Sequence, residues 1–116
     1  MREQIIALLE RHCRTITQEA ALIGQSIGKV TIGMEREDLE PSVRHVHKIK
    51  GSSGSLGFPS VSRAAQALED RLRGIGRVDG TALAQIEDMN ARLQEAVCRI
   101  TPETSTLHQK FKEADK

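Results

Sequence analysis

The apolar residues of this 116-residue chain recur at steps of three and four, the spacing that places them on one side of an α-helix. The first third of the chain carries one such stripe. It consists of Ile5, Leu9, Cys13, Ile16, Ala20, Ile23, Ile27 and Val30. Thr15 and Gln18 have capping-box spacing, so the stripe is compatible with one long helix or with two helices that meet near Arg14.

Three further amphipathic segments follow this stripe. A polar connection from Glu35 to Glu40 leads to Pro41, which suits the first turn of a second helix because its missing N–H costs little there. Gly57 suits the end of that helix, with Phe58-Pro59 as the turn.

Capping residues mark the remaining two helices. Ser60 suits the N-cap of the third helix, which ends at Gly74, and Asp79 opens the fourth. Short connections between amphipathic helices favour antiparallel neighbours. We therefore predict an all-α fold: an antiparallel up-and-down four-helix bundle over residues 1–101, with or without an extra N-terminal helix, and a polar C-terminal tail over residues 102–116.

Composition and charge narrow the range of functions. Phe58 and Phe111 are the only aromatic residues, so the core must be aliphatic, and a net charge of +1 lacks the basic excess of nucleic-acid-binding proteins. No apolar run approaches the roughly 20 residues that cross a bilayer, and the N-terminus lacks the features of a signal peptide, so we expect a cytoplasmic domain. Cys13 and Cys98 lie on apolar stripes, which favours two buried reduced thiols, while a disulfide between two helices stays open.

One segment, residues 44–57, departs from the pattern of a purely structural helix. It places Gly51 and Gly54 inside a helical pattern, where glycine is destabilising, and it gathers three cationic residues around two histidines. A helical wheel puts His47 at the edge of the apolar side, with both glycines on its side and Lys50 about one turn away. His47 is therefore predicted to be exposed, beside a bare backbone and within reach of a cation.

This arrangement suits phosphoryl transfer. An exposed neutral imidazole has a nucleophilic nitrogen near pH 7, the glycines leave room for a second protein, and Lys50 can stabilise charge on the phosphoryl oxygens. The sequence contains no P-loop and no kinase signature, so it predicts no ATP site. The phosphoryl group then arrives from one protein and leaves to another, which makes the chain a phosphoryl carrier rather than a kinase.

The run from His47 to Ser53, His-Lys-Ile-Lys-Gly-Ser-Ser, is followed by Leu56-Gly57 and resembles the signature of histidine-containing phosphotransfer (HPt) domains. The resemblance is detailed between about Leu39 and Leu72 and covers the bundle layout beyond them. It implies a phosphorelay intermediate of two-component signalling. Such a protein accepts a phosphoryl group from a receiver-domain aspartyl phosphate and passes it to another response-regulator receiver.

The resemblance also implies roles for single residues. His47 matches the phospho-acceptor, Lys50 the supporting lysine and Gly51 the glycine that gives the receiver room. Glu69, on the following helix, matches a residue that orients the imidazole through its other nitrogen, and an exposed Glu69 paired with Arg73 is the plainer alternative. The implied partners are receiver domains and a hybrid sensor kinase. The implied chain is a monomer without a cofactor of its own, and any Mg²⁺ belongs to the receiver.

A docking surface is predicted around His47, because receivers present carboxylates around their phosphorylated aspartate. The residues predicted to contact the partner are Arg44, Lys48, Gly54 and Arg73. A solvated helix face is the plainer explanation of these charges. A nucleic-acid patch is disfavoured, since it would need interleaved aromatic residues.

Other functions are weighed against this one. His45 and His47 are two residues apart and do not face each other on a helix, and His12 and His108 have no ligand spacing, so no metal site is predicted. A non-catalytic helical module that binds a receiver or kinase stays open, as does a dimeric phosphotransferase whose bundle is built by two chains. An intrinsic kinase or hydrolase is disfavoured, since no paired carboxylates and no nucleophile–base motif are present.

Overall fold

Four α-helices form most of the chain in this computed structural model, which describes residues 2–106 and 108. They are α1 (Arg2–Gly28), α2 (Arg36–Ser55), α3 (Pro59–Arg73) and α4 (Gly80–Cys98), and a short 3-10 helix (Pro102–Thr104) follows. Each α-helix packs against two others in the ring α1–α2–α3–α4, closed by α4 against α1. The result is a rod of 55 × 19 × 19 Å, and the predicted all-α, up-and-down four-helix bundle is confirmed.

The apolar stripes of the four helices meet in one aliphatic core. Its largest fully buried side chains include Ile16, Ile23, Leu39, Ile49, Leu68, Leu72, Ile86 and Leu93. Phe58 is buried among them, whereas Phe111 lies outside the described residues. Burying one such side chain contributes about 1.5–3 kcal/mol relative to leaving it in water. None of the helices in the described part is both long enough and apolar enough to cross a membrane.

The N-terminal stripe belongs to the single helix α1, which has 27 residues. Thr15 does not begin a second helix, because its Oγ1 donates a hydrogen bond to the carbonyl of Arg11 one turn earlier. The two-helix alternative near Arg14, with its extra N-terminal helix, is therefore wrong.

Helix α2 begins earlier than its sequence indicated. Glu35 is the N-cap, and the Glu35 N–H donates to Oδ2 of Asp38 at 2.9 Å. The polar stretch predicted as a connection is therefore the first turn and a half of the helix, and Pro41 lies inside it rather than in its first turn. Pro41 and Glu37 are exposed, so the carbonyl of Glu37, which loses its hydrogen-bond partner four residues on, lies on the solvent side.

Helix α2 ends at Ser55, two residues before the predicted Gly57, which lies in the turn between α2 and α3. Gly57 has a φ of +80°, a left-handed conformation that glycine adopts without steric cost, and the N–H of Phe58 donates to the Ser53 carbonyl at 2.8 Å. Pro59 is the first residue of α3 and Phe58 its N-cap, so the predictions that Pro59 belongs to the turn and that Ser60 caps this helix are wrong. The fixed φ of proline suits the first helical position.

At the opposite end of the bundle, the α1–α2 and α3–α4 connections bind each other. The Val78 N–H donates to the Met34 carbonyl at 2.7 Å, and the Val78 carbonyl accepts from the N–H of Gly33 at 2.8 Å. Asp79 caps α4 as predicted, since its Oδ1 accepts a hydrogen bond from the Ala82 N–H at 2.7 Å.

Both cysteines are free, but they are not both buried. Cys13 is half-buried on α1, where burial is the largest cause that raises the pKa of its thiol. Cys98, the last residue of α4, is exposed, so the prediction of a buried thiol there is wrong. Val97 and Ile100 carry the apolar stripe past it.

The segment predicted as a tail begins with residues that contact the bundle. Ser105 is fully buried and its Oγ donates to the carbonyl of Leu56, while the N–H of Thr106 donates to the Gly57 carbonyl at 2.8 Å. These bonds attach the chain after α4 to the α2–α3 turn. Residues 107 and 109–116 of the predicted tail lie outside the described residues.

The core predicts the effect of truncating Leu68. This side chain is fully buried on α3, so Leu68→Ala should lower the free energy of unfolding by about 2–5 kcal/mol through lost burial and a residual cavity. Leu22→Ala is the matched control, because Leu22 is 48% exposed and should change stability by less than about 1 kcal/mol. Urea denaturation measures both, and an equal loss in the two variants would contradict this assignment of the core.

Candidate functional site

His47 lies on α2 at the boundary between the core and the solvent. Its neighbours Val46 and Ile49 are fully buried, whereas 63% of the His47 side chain is exposed. The predicted exposure of His47 is therefore what the structure shows. The ring is held on a rigid helix, with one side turned toward α3 and the other toward solvent.

Glu69 of α3 contacts the inner side of this ring. The His47 Nδ1 lies 3.0 Å from Glu69 Oε2 and 3.3 Å from Oε1. Only 5% of the Glu69 side chain is exposed, since Leu68 and Leu72 bury the same face of α3 in the core. The contact implied by the family resemblance is present. The alternative prediction, an exposed Glu69 paired with Arg73, is correct about the pairing and wrong about the exposure.

Two cations complete the surroundings of the Glu69 carboxylate. Arg73 Nε, one turn along α3, donates to Oε2 at 2.8 Å, and Lys50 Nζ of α2 lies 3.7 Å from Oε1. Lys50 is one-third exposed and Arg73 is 55% exposed. The structure thus brings together four predicted site residues: His47, Lys50, Glu69 and Arg73.

The charge state of Glu69 follows from these contacts. Burial raises the pKa of this carboxyl, but the hydrogen bonds from Arg73 and His47, together with the charges of His47 and Lys50, lower it below its usual value of 4.5. Glu69 is therefore ionised at neutral pH. Since a carboxylate only accepts hydrogen bonds, the neutral imidazole must carry its proton on Nδ1.

The two glycines that follow His47 have different surroundings. No described atom would lie within 4 Å of a Cβ at Gly51, so this part of α2 is open. A Cβ at Gly54 would lie 3.3 Å from the Ser62 Oγ of α3. The absence of a side chain at Gly54 therefore allows α2 and α3 to pack closely. The sequence predicted Gly54 as a partner contact and did not indicate this packing role.

The remaining predicted docking residues lie on the exposed part of α2. Arg44 is exposed, and Lys48 is exposed with its Nζ 3.6 Å from Oε1 of Glu19 on α1. Glu19 is a buried acid that the sequence reasoning missed, although Ile16 and Ile23 place position 19 on the apolar side of α1. Its Oε2 has no hydrogen-bond partner within the described residues.

The other histidine of α2, His45, lies apart from this site. His45 is half-buried on the opposite flank of α2, where it lines a groove with Leu22 and Ser26 of α1. Within residues 2–106 and 108, no three His, Cys, Asp or Glu side chains are grouped so that they could hold a metal ion.

Comparison with known proteins finds one family model that matches the chain. The family model of the Hpt domain matches residues 1–96, which include every residue of the site described above. No curated protein and no solved structure matches the chain.

The ionised Glu69 predicts a dependence of stability on pH. Because the Glu69 pKa is lower in the folded than in the unfolded chain, its carboxylate contributes stability above pH 4.5 that is lost as the pH falls through the folded-state pKa. We expect the free energy of unfolding, from urea titrations between neutral pH and about pH 3, to fall more steeply in wild type than in Glu69→Gln. Glu95→Gln, which changes an exposed acid paired with Arg99, should keep the wild-type slope. A Glu69→Gln slope equal to that of wild type would contradict the assignment.

Proposed function

The chain belongs to the Hpt domain family, whose members transfer phosphoryl groups through a histidine in phosphorelays, and from this premise we propose that His47 is the phospho-acceptor. We propose further that His47 receives the group from a receiver-domain aspartyl phosphate and passes it to the aspartate of a second response-regulator receiver. Hpt domains generally interact with receiver domains, so both partners are of this class.

The observation that supports this proposal is the orientation of the imidazole. Its Nδ1 is engaged by a buried carboxylate at 3.0 Å, while 63% of the side chain is exposed. Nε2 is then the ring nitrogen left for a reaction partner, and it carries the lone pair because Nδ1 carries the proton. A fixed nucleophile on a helix surface suits attack on a group presented by another protein.

The transfer step balances without an added reactant. The Nε2 lone pair attacks the phosphorus in line, the bond between phosphorus and the aspartate oxygen breaks, and the receiver's carboxylate leaves with that electron pair. The ring retains its Nδ1 proton and becomes positively charged, a charge that the neighbouring Glu69 carboxylate stabilises. The reverse sequence on a second receiver returns the imidazole to its starting state.

Lys50 supplies the positive charge on the outer side. Its Nζ lies 3.7 Å from Glu69, beyond hydrogen-bonding distance, and one-third of the side chain is exposed. A turn of this flexible side chain toward the phosphoryl oxygens would stabilise the charge on them. The family's chemistry assigns Mg²⁺ to the receiver, and we propose that the chain needs no cofactor of its own.

The surface around His47 is proposed as the receiver's docking site. Arg44 and Lys48 are exposed on α2 and suit the carboxylates of a receiver's phosphorylation site, while the open backbone at Gly51 allows close approach. A hybrid sensor kinase that carries a receiver is the expected donor, and we expect the two proteins to meet in the cytoplasm.

Because the four helices of one chain complete the bundle, a second chain is not required to close the core, and we propose a monomer.

Phosphoryl transfer tests the role of His47 directly. Incubated with a phosphorylated receiver, wild type should acquire acid-labile, base-stable label, and His47→Gln should acquire none because it lacks the nucleophilic nitrogen. His45→Gln is the matched control and should be labelled like wild type, since His45 lies on the other flank of α2. Label on His47→Gln would overturn the assignment. Binding of several receivers without label on wild type would favour the non-catalytic interaction module instead.

Gly51 tests the proposed clearance. Gly51→Leu should leave stability unchanged or raise it by about 0.5–1 kcal/mol, because leucine favours a helix, position 51 is exposed and its Cβ would meet no described atom within 4 Å. The transfer rate should nevertheless fall, since the new side chain occupies space that the receiver needs. Gly80→Leu is the control: its Cβ also meets no described atom, and it lies on α4, which has no described contact with α2. An unchanged transfer rate in Gly51→Leu would exclude the clearance role.

A further inference from the structure

The Glu69 carboxylate is held by two cations in unequal ways. Arg73 Nε donates to Oε2 at 2.8 Å, a normal charge-assisted hydrogen bond, whereas Lys50 Nζ stays 3.7 Å from Oε1. The carboxylate itself is 95% buried, so it needs a cation in order to remain ionised. Of the two cations, Arg73 makes the shorter and better-defined contact.

Arg73 is also fixed through its backbone. It is the last residue of α3, and its carbonyl accepts a hydrogen bond at 2.9 Å from the guanidinium of Arg36 in the first turn of α2. The end of α3 is therefore tied to the start of α2. The position of Arg73 is therefore fixed relative to α2, which carries His47, as well as to α3, which carries Glu69.

No other charged group takes the place of Arg73. Within the described residues, α2 contributes His47 and Lys50 to Glu69, and α3 contributes Arg73. The ion pairs of α4 in that part of the chain lie within α4 itself, and α1 has no described contact with α3. If Lys50 turns away, Arg73 is the cation that remains on the carboxylate.

We propose that Arg73 is a positioning residue, which holds Glu69 against His47 Nδ1 and thereby leaves Lys50 free to turn to the phosphoryl oxygens. This inference rests on the proposed function and assigns Arg73 a role within the site instead of the partner contact predicted from the sequence. Without Arg73, Lys50 would be the only lysine or arginine in the described residues that contacts the buried carboxylate, and its movement to the phosphoryl group would leave Glu69 with the His47 contact alone. Glu69 would then be easier to protonate, and a protonated carboxyl is a weaker acceptor for the Nδ1 proton.

The test combines two nuclear magnetic resonance observables with two phosphoryl donors. In Arg73→Gln, the ¹³C carboxyl titration of Glu69 should move to higher pH, since the Arg73 hydrogen bond is the largest cause that lowers the Glu69 pKa. The ¹⁵N shifts of His47 should show a smaller population with the proton on Nδ1. Transfer should slow by roughly ten- to a hundredfold, the effect of losing one charge-assisted hydrogen bond. Arg73→Lys, which keeps the charge, should recover part of each effect.

Arg92→Gln is the matched control. Arg92 forms an i,i+4 ion pair with Asp88 on α4, as Arg73 does with Glu69 on α3, but its carboxylate partner does not contact His47. It should leave both observables and the rate unchanged. Thermal unfolding of each variant shows whether the bundle is intact.

The two donors separate positioning from partner binding. Phosphoramidate, a small-molecule donor, and a phosphorylated receiver should both react more slowly with Arg73→Gln if Arg73 acts through the imidazole. Slower reaction with the receiver alone, with Glu69 and His47 signals as in wild type, would overturn the proposal and restore the partner contact. Wild-type rates with both donors would overturn it as well. A wild type that accepts no label would overturn the proposed function instead, and the Glu69 titration would still decide whether Arg73 holds the carboxylate.

Discussion

The burial of the Glu69 carboxylate is the constraint on which the rest of the site depends. A charge that is 95% removed from water is tolerated only where cations and hydrogen-bond donors replace its hydration. In this chain the replacements come from Arg73 on the same helix and from His47 and Lys50 on the neighbouring one. Because the Glu69 carboxylate needs these partners, the imidazole carries its proton on Nδ1, and α2 and α3 are aligned so that His47 and Lys50 lie beside Glu69.

Close packing of α2 and α3 makes this arrangement possible. Small side chains line the contact below the site: Ser53 is fully buried, and Gly54 lies against Ser62. The Ser62 Oγ also donates to the Lys50 carbonyl at 3.3 Å, so α3 is bonded to the residue whose side chain serves the site. Larger residues here would hold the helices apart and move Glu69 away from His47. The run of small residues after His47 thus has a structural function within the molecule in addition to the clearance proposed for Gly51.

The sequence predicts the parts of this structure that depend on short spacings. Helical periodicity identifies the four helices, and the position of His47 at the edge of an apolar face follows from residues within two turns of it. The contact between His47 and Glu69 joins residues 22 positions apart on two helices. It depends on the relative shift of α2 and α3, which periodicity does not specify, so only the family resemblance indicated it. Glu19 was missed because an acid at an apolar position gives no sign, in sequence, of whether it is buried.

The errors at helix ends have a common physical cause. Pro41 was predicted in the first turn because proline is favoured there. The interaction between Glu35 and Asp38 instead begins the helix five residues earlier. The hydrogen bond lost at Pro41 costs little because the carbonyl involved lies on the solvent side. Cys98 was predicted as buried because it continued a stripe, yet it is the last residue of α4, and Val97 and Ile100 face the core instead. Local propensity is weak compared with capping and packing, and both act most strongly where a helix begins or ends.

The exposure of His47 and the burial of Glu69 are consequences of one geometry. His47 reaches outward from α2 and Glu69 reaches inward from α3, so one side of the ring contacts a fixed polar network and the other faces solvent. The inner network of Glu69, Arg73 and Lys50 depends on the packing of two helices. The outer residues Arg44 and Lys48 are exposed, and neither contacts Glu69 within the described residues. On the proposed function, substitutions at Arg44 or Lys48 would therefore change which receiver docks without disturbing the orientation of the imidazole, and the choice of partner would be separate from the chemistry of transfer.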